Sequence, residues 1–157
     1  MAAFEYRQAA EIRDIFARHD CRYLFIGKSG AILLGYPDTT QDADIFVQKS
    51  IENGLRLVSA LRELGFSLTD ADADEIRRGK DFVQLKSGPF DLDLIFAPDG
   101  IESFDQAWLR RSEVDGFPVC AIDDIIASKH AANRVKDRES LPRLEDFRRY
   151  LQSQIRP

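Results

Sequence analysis

From Phe4 to Arg18 the apolar residues Ile12, Ile15 and Phe16 recur at helical spacing among charged neighbours, which predicts an amphipathic helix. The run Arg22-Tyr23-Leu24-Phe25-Ile26 reads as a buried strand ending at Gly27. Lys28 to Leu34 has the composition of a short helix stopped by Gly35, and Tyr36-Pro37-Asp38 that of a turn. Asp42-Ala43-Asp44-Ile45-Phe46-Val47 is the next strand. A longer helix follows, with Ser50 as N-cap, Leu55, Val58, Leu61 and Leu64 on one face, and Gly65 as its stop. Beyond an expected acidic loop around Asp70, Asp72 and Asp74, Phe82 to Leu85 and Phe90 to Phe96 flank Ser87-Gly88-Pro89 as the strands of a hairpin. Ser103 caps an expected helix through Trp108, with Phe104, Trp108 and Leu109 as core or anchor residues. Asp115-Gly116 makes a turn, and Phe117 to Ala121 is a last short strand. Two helices close the chain, one from near Asp123 carrying Lys129, the other from Ser140-Leu141-Pro142, where proline suits a first turn. This order predicts an α+β fold: a mixed β-sheet flanked by helices in a single domain over residues 1–157, its core about 20–121 and its C-terminal helices about 122–155.

Side chains alternate along a strand, so Asp42 and Asp44 share one face while Ala43, Ile45 and Val47 turn to the core. Asp91, Asp93 and Ile95 share a face of the later strand, and three or four carboxylates converge if the two strands are neighbours. Gathered carboxylates repel one another unless a hard divalent cation such as magnesium sits between them. With open coordination positions, such acids fit two-metal phosphoryl chemistry. Gly27 ends a strand and opens a helix, which leaves the N–H groups of residues 28 to 30 free for an anion. Taken singly, each feature is ordinary: an Asp-x-Asp pair is commonly a solvated strand end, and a glycine turn commonly binds nothing.

Composition narrows the picture. A chain of 157 residues, 44% hydrophobic, can bury one sizeable core. Its net charge of -5 works against sequence-independent binding to nucleic acid. Basic residues gather towards the C-terminus with acids interleaved, which predicts a solvated helical face there. The chain has no apolar run of membrane-spanning length and its start, Met1-Ala2-Ala3-Phe4, lacks the pattern of a secretory signal, so a cytoplasmic protein without membrane contact is expected. Cys21 and Cys120 read as reduced structural thiols, and His19 and His130 as surface or satisfied structural residues. Gly27-Lys28-Ser29 is no P-loop, because the required first glycine falls on Arg22. The aspartates at 70, 72 and 74 make no calcium loop, because Glu75 and Asp81 stand where glycine and glutamate are needed.

Together, Phe25-Ile26-Gly27-Lys28-Ser29-Gly30-Ala31, Gly35-Tyr36-Pro37, Thr39-Thr40 and Asp42-Ala43-Asp44 resemble the signature of the nucleotidyltransferase (polymerase-beta-like) superfamily. Pro89 to Ile95 resembles the strand of its third acid. Val119 to Lys129 with Arg134-Val135-Lys136-Asp137 resembles the C-terminal part of small bacterial nucleotidyltransferases related to abortive-infection toxins. The resemblance covers roughly residues 20 to 147. It implies an enzyme that moves an NMP group from an NTP to an acceptor hydroxyl on tRNA, protein or a small molecule, acting in a toxin-antitoxin or stress system with a neutralising antitoxin partner. It further implies a two-ion magnesium site, with manganese as the alternate ion, held by Asp42, Asp44 and Asp93 as the catalytic acids. Nucleotide binding would fall to Gly27, Lys28, Ser29, Lys129 and Lys136. Asp137 pairs with one of these lysines in the simplest reading. The chain departs from the pattern at Lys28, where a second small residue is usual, and at Asp38, where a basic one is. Should Lys28 block the close backbone approach of a phosphate, the alternative is an impaired module that binds a nucleotide or a partner protein.

Overall fold

The computed structural model describes residues 3–155, so Met1, Ala2, Arg156 and Pro157 of the expected unit lie outside the described residues. Among the described residues one mixed sheet has the strand order β3-β4-β2-β1-β6-β5. Its strands are β1 (Tyr23–Phe25), β2 (Asp42–Val47), β3 (Phe82–Leu85), β4 (Asp91–Ile95), β5 (Ser112–Val114) and β6 (Phe117–Val119). The helices are α1 (Tyr6–Arg18), α2 (Gly27–Leu33), α3 (Ile51–Leu64), α4 (Asp70–Arg78), α5 (Phe104–Arg110), α6 (Ile122–Ala132) and α7 (Val135–Ile155). Strand β2 runs antiparallel to β1 and parallel to β4, while β3 and β4 form the expected antiparallel hairpin. Among the described residues no helix is long and apolar enough to cross a membrane.

The alternation in β2 divides the core. Ala43, Ile45 and Val47 join Leu92 and Leu94 of β4 against Ile12 and Phe16 of α1, Leu57 and Leu61 of α3, and Ile76 of α4. On the opposite side, Leu24, Ile26, Phe46 and Cys120 pack against Phe104, Ile125, Ile126, Leu141, Leu144 and Phe147 from α5, α6 and α7. Each such side chain withdrawn from water contributes roughly 1.5–3 kcal/mol. Asp42 and Asp44 therefore face the side on which α6 and α7 lie.

The structure corrects several expectations. The acidic stretch from Asp70 is helix α4, not a loop. The Thr69 hydroxyl accepts the Asp72 N–H at 3.0 Å, the Asp72 carboxylate accepts the Thr69 N–H at 3.1 Å, and first-turn acids suit a helix N-terminus. Leu55 is half-exposed and Leu57 takes the buried place on α3, while Leu109 points to solvent. Residues 112–114 form β5, a strand too short and polar to show in the pattern. Helix α7 starts at Val135 rather than at Ser140, because the Asp137 carboxylate accepts the Arg134 N–H at 3.1 Å and so nucleates the first turn early; Pro142 is carried inside the helix on its exposed side.

Candidate active site

In-register pairing of two parallel strands sets the acids side by side, with Asp42 opposite Asp91 and Asp44 opposite Asp93; on the next strand Gln84 stands opposite Asp93. Asp44, Asp93 and Gln84 thus form a row across three strands. The Asp44 carboxyl is pushed up to about 7, first by burial and next by the charge of Asp93, with Lys129 pulling the other way. Burial also raises Asp93, Asp42 adds to the effect, and the Gln84 amide opposes it. Asp93 Oδ1 is buried without a hydrogen-bond partner. A buried carboxylate oxygen in that state costs on the order of 1–3 kcal/mol or more, so the site is built at the expense of stability.

These residues fit a hard divalent ion: they offer only oxygen donors, one of them without a partner, among acids that disfavour one another's charge. Among the described residues, no group of three or more His, Cys, Asp or Glu is arranged so that it could hold a metal ion between its own side chains. Magnesium is commonly held by only one or two carboxylates and completed by water and substrate phosphate, a mode that needs no such group. Of the two acids on β4, Asp93 is the one that stands opposite Asp44 and raises its carboxyl, while Asp91 stands opposite Asp42.

The Gly27 turn is stitched to the same strand. The Ile26 N–H donates to the Asp44 carbonyl at 3.0 Å, the Asp44 N–H donates to Ser29 Oγ at 2.9 Å, and the Ser29 hydroxyl donates to the Ile26 carbonyl at 3.1 Å. Ser29 is buried and its hydroxyl is committed to this bracket. Gly27 sits at φ +63, and a Cβ there would stand 2.5 Å from Asp44 Oδ2. Gly27→Ala is expected to lower the melting temperature, through about 1–2 kcal/mol of strain, and, by displacing Asp44, to reduce any activity that depends on these acids at least about 100-fold. Calorimetry and an activity assay on the same preparation check it; unchanged activity would remove Gly27 from the site.

Cations face the acids from α6 and the start of α7. Lys129 is not the solvated lysine its charge pattern suggests: its side chain is 16% exposed, with Nζ 3.6 Å from Asp137 Oδ1. Burial pulls its pKa down, opposed by Asp137 and Asp44. Asp137 is fully buried and also receives Arg134 Nε at 2.7 Å. Burial alone would raise its carboxyl, but Arg134 and Lys129 outweigh that and hold it below the ordinary carboxylate range. Lys136 is exposed, and its charge favours ionised Asp93. Lys28 turns to Asp38, its Nζ 3.0 Å from Oδ2. The histidines are paired, as expected of structural residues: His19 Nε2 lies 2.9 Å from Glu63 and His130 Nε2 3.3 Å from Glu145. Gln84 is the site residue that the sequence pattern did not single out. Its signal was the alternation in Phe82-Val83-Gln84-Leu85, which turns it outward beside the acid strand.

No protein-family profile matches the chain, and no curated protein matches it in sequence. Solved structures do resemble it. The lincosamide antibiotic adenylyltransferase LnuA, in its lincomycin-bound form, aligns over 92% of this chain and 98% of its own with a TM-score of 0.65 at 14% identity. A protein from Thermotoga maritima, described as a candidate nucleotidyltransferase, aligns over 94% of this chain and 92% of its own with a TM-score of 0.52 at 17% identity. The chain has the nucleotidyltransferase fold.

Proposed function

We propose that this protein is a divalent-metal-dependent nucleotidyltransferase that moves an NMP group from an NTP to an acceptor hydroxyl. The observation that carries the reading is the cluster of Asp42 and Asp44 on β2 with Asp93 on the adjacent parallel β4, where Asp93 Oδ1 is buried and unpartnered. Asp42, Asp44 and Asp93 would hold the ions. Magnesium, or manganese in its place, would neutralise charge on the phosphates and make the acceptor oxygen a better nucleophile. The acceptor oxygen attacks the α-phosphorus, the bond to the β-phosphate oxygen breaks, and pyrophosphate leaves. Asp93 accepts the acceptor's proton and passes it to water. Backbone N–H groups of the Gly27 turn, with Lys28, Lys129 and Lys136, hold the triphosphate and offset charge on the leaving pyrophosphate. Asp137 orients Lys129 and Arg134 for this task.

The resemblance to LnuA makes a small-molecule hydroxyl one acceptor class to test. The abortive-infection resemblance adds tRNA and protein, and a toxin role answered by an antitoxin. Lys28 pairs with Asp38 in the structure, and an impaired module that binds a nucleotide or a partner protein is the alternative that absence of transfer would favour.

The test is incubation of the protein, magnesium and each NTP in turn with cell extract, RNA, or a panel of hydroxylated small molecules. The NTP is labelled on the α-phosphate in one arm and on the γ-phosphate in the other. Transfer of α-label alone is expected. Transfer of γ-label would instead make the protein a kinase, and absence of transfer from every NTP would overturn the reading.

A further inference from the structure

Lys28 and Asp38, the two positions at which the chain departs from the family pattern, are partners in one ion cluster. Lys28 Nζ stands 3.0 Å from Asp38 Oδ2, and the same oxygen lies 3.6 Å from an Arg143 guanidinium nitrogen on α7. The members are anchored unequally. Arg143 also donates to the Pro37 carbonyl at 3.2 Å and lies 5.3 Å over the Tyr36 ring. Tyr36 is in turn buried edge-on against Phe147 at 5.5 Å. The other oxygen of Asp38 accepts the Thr39 N–H at 2.7 Å. Thr39, Lys28 and Arg143 together hold the Asp38 carboxyl below its ordinary range. Lys28, by contrast, has Asp38 as its one ion-pair partner among the described residues, and its side chain is 40% exposed on a flexible stem. Its backbone directly follows Gly27, where an added Cβ would stand 2.5 Å from Asp44 Oδ2.

We propose that Asp38 and Arg143 form an exchange pair for Lys28: in the free protein Lys28 rests on Asp38, and when a triphosphate occupies the acid row Lys28 transfers to it while Arg143 stays on Asp38. The proposal rests on the nucleotide site described above. Exchange is favoured because a half-exposed lysine–carboxylate pair is weak, whereas a triphosphate offers several charged acceptors at once. Because Arg143 remains, Asp38 is not left as a lone carboxylate beside the incoming anion. Asp38 is thus a positioning residue that competes with the ligand for Lys28.

The experiment is a double-mutant cycle read as binding, using two probes: MgATP and magnesium tripolyphosphate, which has no base or sugar. Lys28→Ala is expected to weaken both probes about 10-fold, as loss of one charge-assisted phosphate contact does. Asp38→Asn is expected to tighten both about 3-fold or more, and the gain should vanish when Lys28 is already alanine. Asp38→Ser is the second variant should the first not fold, with melting curves run on each. Weaker or unchanged binding in Asp38→Asn, or a gain that persists without Lys28, overturns the exchange while leaving the nucleotide site standing. Binding of neither probe to the wild type overturns the nucleotide reading and the exchange with it.

Discussion

Asp44→Asn is expected to melt several degrees higher than the wild type when both are metal-free at pH 8, and to lose nucleotidyl transfer by on the order of 10^3-fold. The two effects have one cause. The Asp44 carboxyl is driven up to about 7 by burial and by Asp93, so above that pH the folded protein holds a charge it disfavours. Asparagine keeps the shape beside Gly27 and removes the charge. Under the proposed function it also removes an oxygen ligand of the ion that would neutralise charge during transfer. A substitution that merely damaged the fold would lower both quantities together. The check is calorimetry after EDTA treatment alongside turnover with saturating magnesium, and Asp44→Asn should also lose the magnesium-induced rise in melting temperature. A variant that melted lower and still turned over would sever Asp44 from the metal site.

The features legible in the sequence are those written in local pattern. Alternation put Asp42 and Asp44 on one face and turned Ala43, Ile45 and Val47 inward, and β2 shows this burial directly. The Ser87-Gly88-Pro89 turn announced the β3–β4 hairpin, and Ser50 and Ser103 cap their helices as expected, each accepting an N–H three residues on. What one strand's pattern cannot contain is its register against another. That Asp44 meets Asp93, and that Gln84 completes the row, follows from long-range pairing of β2, β4 and β3. Side-chain partnerships across the fold were hidden for the same reason. Asp137 is expected to pair with Lys129 or Lys136, and Lys129 is its partner; what the charge pattern does not show is that α6 and α7 fold together and bury Asp137 against both Lys129 and Arg134. The early start of α7 has the same origin, since the Asp137 carboxylate that accepts the Arg134 N–H is also the lysine's partner. Lys28 and Asp38 read as two separate anomalies because they stand ten positions apart, and only the fold shows them to be one ion pair.

The metal-free protein is expected to lose stability as pH rises from 5 to 8, by roughly 5–10 °C in melting temperature, and to regain most of it when magnesium is added at pH 8. The sign follows from the direction of the shifts. Asp44 and Asp93 are raised in the folded state, so folding favours their protonated forms; the stability this provides is fully present below the ordinary carboxylate value of 3.8 and is lost as pH climbs through about 7 for Asp44. Converting the Asp44 shift gives on the order of 4 kcal/mol as the most that this residue could contribute. Asp38 and Asp137 are lowered and act oppositely, their contribution being lost only as pH falls below the ordinary value, so they leave the interval from 5 to 8 untouched. A divalent ion on the acid row reverses the penalty, because it favours the ionised forms that the protein alone disfavours. At pH 5 protons compete for the same oxygens, and the magnesium-induced rise should therefore be smaller than at pH 8. Calorimetry of EDTA-treated protein across this range, with and without magnesium, measures both trends at once. In Asp44→Asn the profile should flatten, and a wild-type melting temperature that stayed level from pH 5 to 8 would mean that the acid row is not strained in solution.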